Sequence, residues 1–111
     1  MSNMIQAARE QVAALTQAAY ERAAAEGLLP AGAEVKATIE IPKDVTHGDY
    51  ASSFAMAGAK ALRKAPRQIA EVIVSHLDLA GTFFDKVEIA GPGFLNFTLG
   101  PKWYLSLIHI S

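Results

Sequence analysis

Cysteine is absent from this 111-residue chain, which excludes disulfides, thiolate nucleophiles and thiolate metal sites together. Such a chain suits a reducing compartment. An excess of one charge is missing too. Ten basic residues face eleven acidic ones, for a net charge of −1, so no global field draws the chain to nucleic acid or membrane. Any electrostatic partner must meet a local patch. No apolar run approaches the ~20 residues of a membrane span, and no membrane partner is expected. The start, MSNMIQAAREQ, lacks both the basic opening and the apolar stretch of a secretory signal. Aromatics make up only 8%, with a single tryptophan, and alanine is the commonest apolar residue. This composition supports one modest core. The length fits one domain, which at this size is only marginally stable by itself. A single cytoplasmic domain is expected.

What is present is patterned. Ile5, Ala8, Val12, Leu15 and Ala19 recur at intervals of three and four, which predicts a first helix with one apolar stripe. Ser2 or Asn3 can cap its start, and Gly27 suits a left-handed stop. Leu28 to Ala33, with Pro30 and Gly32, reads as a turn. Val35 to Ile41 alternates strictly between apolar and polar residues, which predicts a strand with one face on a core. Pro42 ends it, and a polar loop follows. Asp49 reads as the N-cap of a second helix, with Ala51, Ala55, Gly58 and Leu62 as its inner stripe. Pro66 suits the first turn of a third helix reaching about His76 and burying Ile69, Ile73 and Leu77. Phe83 to Ala90 reads as a strand with Val87 and Ile89 inward. Gly91-Pro92-Gly93 makes a turn, and Phe94 to Leu99 is another strand. The predicted fold is α+β: a small, mostly antiparallel sheet with helices packed on one face.

Four groups of residues invite a chemical reading. Ser52, Ser53, His47 and Asp49 contain the types of a hydrolytic triad, but all four crowd into seven residues at a predicted helix start. A nucleophile, base and orienting acid do not reach one another from there. A cap and a loop histidine account for them. The histidines at 47, 76 and 109 have no ligand spacing, so no metal site is expected. Lys60, Arg63, Lys64 and Arg67 are the charged residues between Tyr50 and Ala70, with no acidic residue among them. They form a patch able to neutralise phosphates; the alternative is a solvated helix face. In the last strand, Leu95, Phe97 and Leu99 make the core face, so Phe94, Asn96 and Thr98 point the other way. An aromatic ring and an amide at spacing two can stack on an unpaired base and bond its edge. The alternative is that Phe94 packs under the first helix and Asn96 bonds a neighbouring strand.

The HGDYA segment, the AKALRKAPRQIA helix after it and the GPGFLNF strand closely resemble, in that order, the N-terminal additional domain of arginyl-tRNA synthetases. The resemblance covers residues 1–104. It implies a module that packs against the elbow of tRNA(Arg) and reads a base of the D-loop. On the family strand matching Phe94-Leu95-Asn96 lie an aromatic that stacks and an amide that reads the base edge. Phe94 and Asn96 are suitable types at both positions, so resemblance and strand parity select the same residues. Lys60, Arg63, Lys64 and Arg67 become candidate contacts to the tRNA backbone. The resemblance also implies a catalytic domain of the same parent chain as partner, and ATP as that parent's cofactor.

The departures bear on catalysis. The family's ATP-binding signature of H-x-G-H type has no counterpart here, and the KMSK-like signature and helical anticodon-binding domain are missing. The chain itself is therefore expected to hold no catalytic residue and no cofactor. Residues 105–111 do not resemble the family's continuation and read as a foreign tail on a truncated gene. The competing reading is a stand-alone protein-interaction domain with no RNA role, docking through its Ala/Gly-rich helix.

Overall fold

A computed structural model describes residues 3–41 and 49–100 of the chain. Helix α1 runs Asn3–Ala25. Ala8, Val12 and Ala19 are fully buried along the predicted stripe, and Thr16, Tyr20 and Ala23 widen it. The buried Thr16 hydroxyl donates back to the Val12 carbonyl at 3.1 Å, so it carries no unsatisfied group into the core. The helix ends as Gly27 predicts. With Gly27 at φ +80, its N–H donates to Ala24 O at 3.0 Å and the Leu28 N–H donates to Ala23 O at 3.0 Å, which is the Schellman arrangement. Ser2 and the side chains of Asn3 and Ile5 lie outside the described residues.

Four antiparallel strands follow: β1 (Ile39–Glu40), β2 (Tyr50–Ser52), β3 (Phe84–Ala90) and β4 (Phe94–Leu99). They form one sheet in the order β1-β2-β4-β3. Between β2 and β3 lie α2 (Phe54–Ala57), α3 (Ala59–Leu62) and α4 (Pro66–His76). The fold is α+β, and α1, α2 and α4 pack on the sheet. The bounds of α4 and β4 are those the sequence predicts. Ile69 and Ile73 are fully buried on α4, while Val87 and Ile89 of β3 pack on the core from half-buried positions.

Three expectations need correction. The predicted strand over 35–41 shrinks to Ile39–Glu40. The alternation is real, because Val35, Ala37 and Ile39 are half-buried and the residues between them exposed. However, the partner β2 has only three residues to pair with. Ile41, the last odd position, is 54% exposed.

Asp49 is not a helix cap. Its Oδ2 accepts from the Leu99 N–H at 2.9 Å, and its own N–H donates to Phe97 O at 2.8 Å. Residues 50–52 then continue as a strand, so Ala51 belongs to the sheet and not to the helical stripe. The second helix starts only at Phe54 and breaks at Gly58 into α2 and α3. Gly58 sits against its neighbours: an added Cβ would lie 3.1 Å from Leu62 Cδ1 and 3.2 Å from Val35 Cγ2.

The core joins one face of the sheet to the helices. Leu95 and Phe97 are fully buried at its centre, with Val12, Leu62, Ile69 and Ile73 around them. Phe84 bridges Tyr50 and Phe97 edge to face, at ring distances of 5.8 and 5.5 Å. Tyr20 stacks obliquely on Phe54, donates its hydroxyl to Pro30 O and accepts from the Ala33 N–H at 2.9 Å. It thereby pins the turn after α1.

Candidate functional site

Side chains alternate across a strand, so the burial of Leu95 and Phe97 sends Phe94, Asn96 and Thr98 to the other face. The register of the sheet shows what surrounds them. Asn96 stands between Ala51 of β2 and Glu88 of β3, and Glu40 of β1 lies beyond Ala51. Phe94 pairs with Ala90, and Thr98 with Lys86. Phe94 is half-buried and stands outside the apolar core cluster, so it does not pack under α1. Asn96 is buried, at 8% exposure. Among the described residues its carboxamide has no hydrogen-bond partner, and no polar side-chain atom is sealed from solvent unpaired. It does not bond a neighbouring strand. This face therefore offers an aromatic ring and a free amide above a small alanine.

One residue of this surface escaped the reading of the sequence. Glu88 faces Asn96 directly and is held by Lys86, Nζ to Oε1 at 2.8 Å. That contact raises the Lys86 pKa. The signal was available: a hairpin turning on Gly91-Pro92-Gly93 pairs Ala90 with Phe94, and counting outward brings Glu88 opposite Asn96.

The basic segment reaches the turn before Phe94 through Arg67. Lys60, Arg63, Lys64 and Arg67 are all exposed. Arg67 Nη1 donates to Gly91 O at 3.1 Å, in the turn that leads to Phe94. Gly93, at φ +144, is pressed on Pro66: an added Cβ would meet Pro66 Cβ at 3.0 Å and its carbonyl carbon at 3.1 Å. Thus Arg67 and Gly91, twenty-four positions apart in sequence, meet at the first turn of α4, beside the turn that leads to Phe94. Arg63 caps α3 with φ 56 and ψ 40, the left-handed conformation that glycine adopts at no steric cost.

The hydrolase-like group does not assemble. Ser52 is buried and its Oγ accepts from the Phe54 N–H at 3.2 Å. The Ser53 Oγ accepts from the Thr38 N–H at 2.8 Å, and Asp49 is occupied by Leu99. All three serve the backbone. His47 and His109 lie outside the described residues, as does the stretch 105–111. His76 joins the ends of α4 and α1, with Nδ1 2.8 Å from Val72 O and Nε2 3.1 Å from Glu26 Oε1. The Val72 carbonyl, then Glu26, raise its pKa. Burial raises that of Tyr50. Among the described residues no three His, Asp or Glu side chains gather as metal ligands, and no helix is long and apolar enough to cross a membrane. Clefts of about 140 Å³ beside Thr16 and Ser52 and 260 Å³ beside Thr82 are below the ~300–1,000 Å³ usual for small-molecule pockets.

Helices on one face of a four-stranded antiparallel sheet, with an aromatic and an amide on the other, define a small α+β module whose distinctive surface is a sheet face. Residues 4–99 match the family model described as arginyl tRNA synthetase N terminal domain, and the chain belongs to that family. It is 39% identical over 110 residues to an arginine–tRNA ligase of Acetivibrio thermocellus, covering 99% of this chain and 20% of the relative. With that of Bacillus subtilis it shares 50% identity over 70 residues, 63% of this chain and 13% of the relative. The arginyl-tRNA synthetase structure from Thermus thermophilus superposes with a TM-score of 0.60 at 28% identity, covering 85% of this chain and 15% of that one. That from Plasmodium falciparum gives 0.69 at 15% identity, over 90% of this chain and 17% of that one, a likeness of fold alone. The chain thus spans about 20% of the length of the Acetivibrio relative.

Proposed function

We propose that this chain is the tRNA-contacting module of an arginine–tRNA ligase, touching the D-loop of tRNA(Arg) at the elbow. Phe94 stacks on one unpaired base and Asn96 bonds its edge, while Lys60, Arg63, Lys64 and Arg67 meet phosphates. A catalytic domain of the same longer protein carries ATP and joins arginine to the tRNA, in the cytoplasm. The observation that carries this reading is the union of two separate candidates. The Arg67–Gly91 hydrogen bond and the Pro66–Gly93 contact hold Arg67 against the turn that delivers Phe94. Phosphate contacts position a ligand and base contacts specify it, and Arg67 supplies a cation beside the turn that leads to Phe94. Arg63 supports the reading as well, since a left-handed arginine bears strain of about 1–2 kcal/mol that glycine would avoid.

The test is a titration of the 111-residue chain with a tRNA(Arg) transcript and with transcripts varied at one D-loop base, followed by NMR. Phe94→Ala should weaken binding by about 1–3 kcal/mol whichever base is present. Asn96→Ala should flatten the preference among bases, because the amide offers both a donor and an acceptor. Binding that ignores both substitutions refutes the assignment.

A further inference from the structure

The row that holds Asn96 contains a group that a surface for a polyanion has reason to lack. Glu88 lies directly across from Asn96 on β3, and its side chain is 61% exposed. Cross-strand partners of this kind have Cβ atoms about 4.5–5.5 Å apart, so one small planar ligand can touch both. On the other side of Asn96 stands Ala51, which has no hydrogen-bonding group. Among the residues paired with Asn96, Glu88 alone brings one.

The chemistry of the two groups differs. The carboxamide of Asn96 donates and accepts, so an acceptor-only group beside it sharpens the choice between a carbonyl and an amino group on a base. An ionised carboxylate only accepts. Lys86 holds Glu88 as an ion pair, Nζ to Oε1 at 2.8 Å. A base with an exocyclic amino group gives it a donor, as cytosine N4 does to Glu and Asp elsewhere. Uracil, in the same pose, sets a carbonyl oxygen against it. Dihydrouracil does the same, and its non-planar ring also stacks less well on Phe94.

We propose that Glu88 is a specificity-determining residue of this surface, accepting a hydrogen bond from the exocyclic amino group of the base held by Phe94 and Asn96 and rejecting uracil-type bases. This rests on the base-reading role given to Phe94 and Asn96 above. Glu88 repels phosphate generally, and an amino group on the base offsets that repulsion locally. Lys86 orients the carboxylate and is not itself a reader.

The experiment uses the 111-residue chain and a set of RNA hairpins with one stem and a loop differing at a single unpaired base: A, C, U or dihydrouridine. Affinities are read by NMR titration, and the readout is the ratio between amino-bearing and uracil-type hairpins. The wild type should favour A and C by about five- to tenfold, within the range of one good base contact. Glu88→Gln keeps size and shape but adds a donor, so the ratio should fall toward one through a gain for U and dihydrouridine. Glu88→Asp, which keeps the acceptor, should keep the direction of the preference. Removing any nearby negative charge strengthens RNA binding in general. If Glu88→Gln raises all four affinities equally and leaves the ratio unchanged, Glu88 is only a background charge and the proposal fails. It also fails if the wild type prefers uracil. Phe94→Ala and Asn96→Ala, run on the same hairpins, keep the two readings apart. Should neither alter binding, the base-reading surface itself is wrong; should both alter it while Glu88→Gln leaves the ratio intact, only the role of Glu88 is lost.

Discussion

Arg67 Nη1 donates to the carbonyl oxygen of Gly91 at 3.1 Å, which ties the first turn of α4 to the turn that feeds Phe94 into β4. Pro66, one residue earlier, lies against Gly93. The strand bearing Phe94 and Asn96 is thus aimed by a helix as well as by its own ladder. Four predictions follow from this arrangement and from the packing around it.

Gly93 is held by two constraints at once, a φ of +144 and contact with the Pro66 backbone. Gly93→Ala should lower stability by about 1–3 kcal/mol, measured by urea unfolding. Gly32, at φ +77 with nothing within 4 Å, is the matched control. Gly32→Ala carries only the conformational cost, about 1–2 kcal/mol or less, so a larger loss at Gly32 than at Gly93 would contradict the close packing.

The two faces of β4 should respond unequally to truncation. Leu95 and Phe97 are fully buried, so Leu95→Ala should cost about 2–5 kcal/mol and Phe97→Ala about 3–5 kcal/mol through cavity formation. Thr98→Ala, half-buried on the opposite face, should cost less than either, about 1 kcal/mol or below. Chemical denaturation of the three variants reads the face assignment independently of any RNA.

If the basic segment meets phosphates, tRNA binding should weaken steeply with salt, with a log–log slope of about 0.7–0.9 per contact. Neutralising Lys60, Arg63, Lys64 and Arg67 together should make that slope shallower. A slope that does not change assigns them to a solvated helix face.

His76 makes stability depend on pH. Its folded pKa is raised above the usual value near 6.5 by the Val72 carbonyl and by Glu26, so the folded state holds the proton more tightly than the unfolded chain. The contribution is complete below pH 6.5 and is lost as pH rises through the higher folded pKa. Urea midpoints from pH 5.5 to 8 should therefore fall across that window, and His76→Gln should flatten the decline. Arg22, whose Nε and Nη2 bond the His76 carbonyl at 3.0 and 2.7 Å, keeps the two helix ends together in that variant.

Most of the local structure was legible because local rules wrote it. The three- and four-residue spacing of Ala8, Val12, Leu15 and Ala19, the glycine at 27 and the proline at 66 specify α1, its stop and the start of α4 without reference to anything distant. The parity of β4 likewise separated Leu95 and Phe97 from Phe94 and Asn96. Glu88 was within reach by counting back from the Gly91-Pro92-Gly93 turn, since a hairpin register follows from its loop.

Asp49 and the residues after it were not legible. Asp49 before a run of small apolar residues has the local signature of a helix cap, and Tyr50-Ala51-Ser52 is too short to show a period of two. These residues became a strand because β4 passes beside them: the Leu99 N–H, fifty positions away, takes the Asp49 carboxylate, and Tyr50, Ala51 and Ser52 pair with Phe97, Asn96 and Leu95. The same non-local pairing limited β1 to two residues. By itself, then, the sequence determined the family, α1, α4 and the side of β4 that each residue faces, because period and turn chemistry act over a few residues. Only the tertiary structure decided that Ala51 lies beside Asn96 and that Arg67 reaches the Phe94 turn. Hydrogen bonds and contacts between segments far apart in the chain set both relationships, and a local pattern does not encode them.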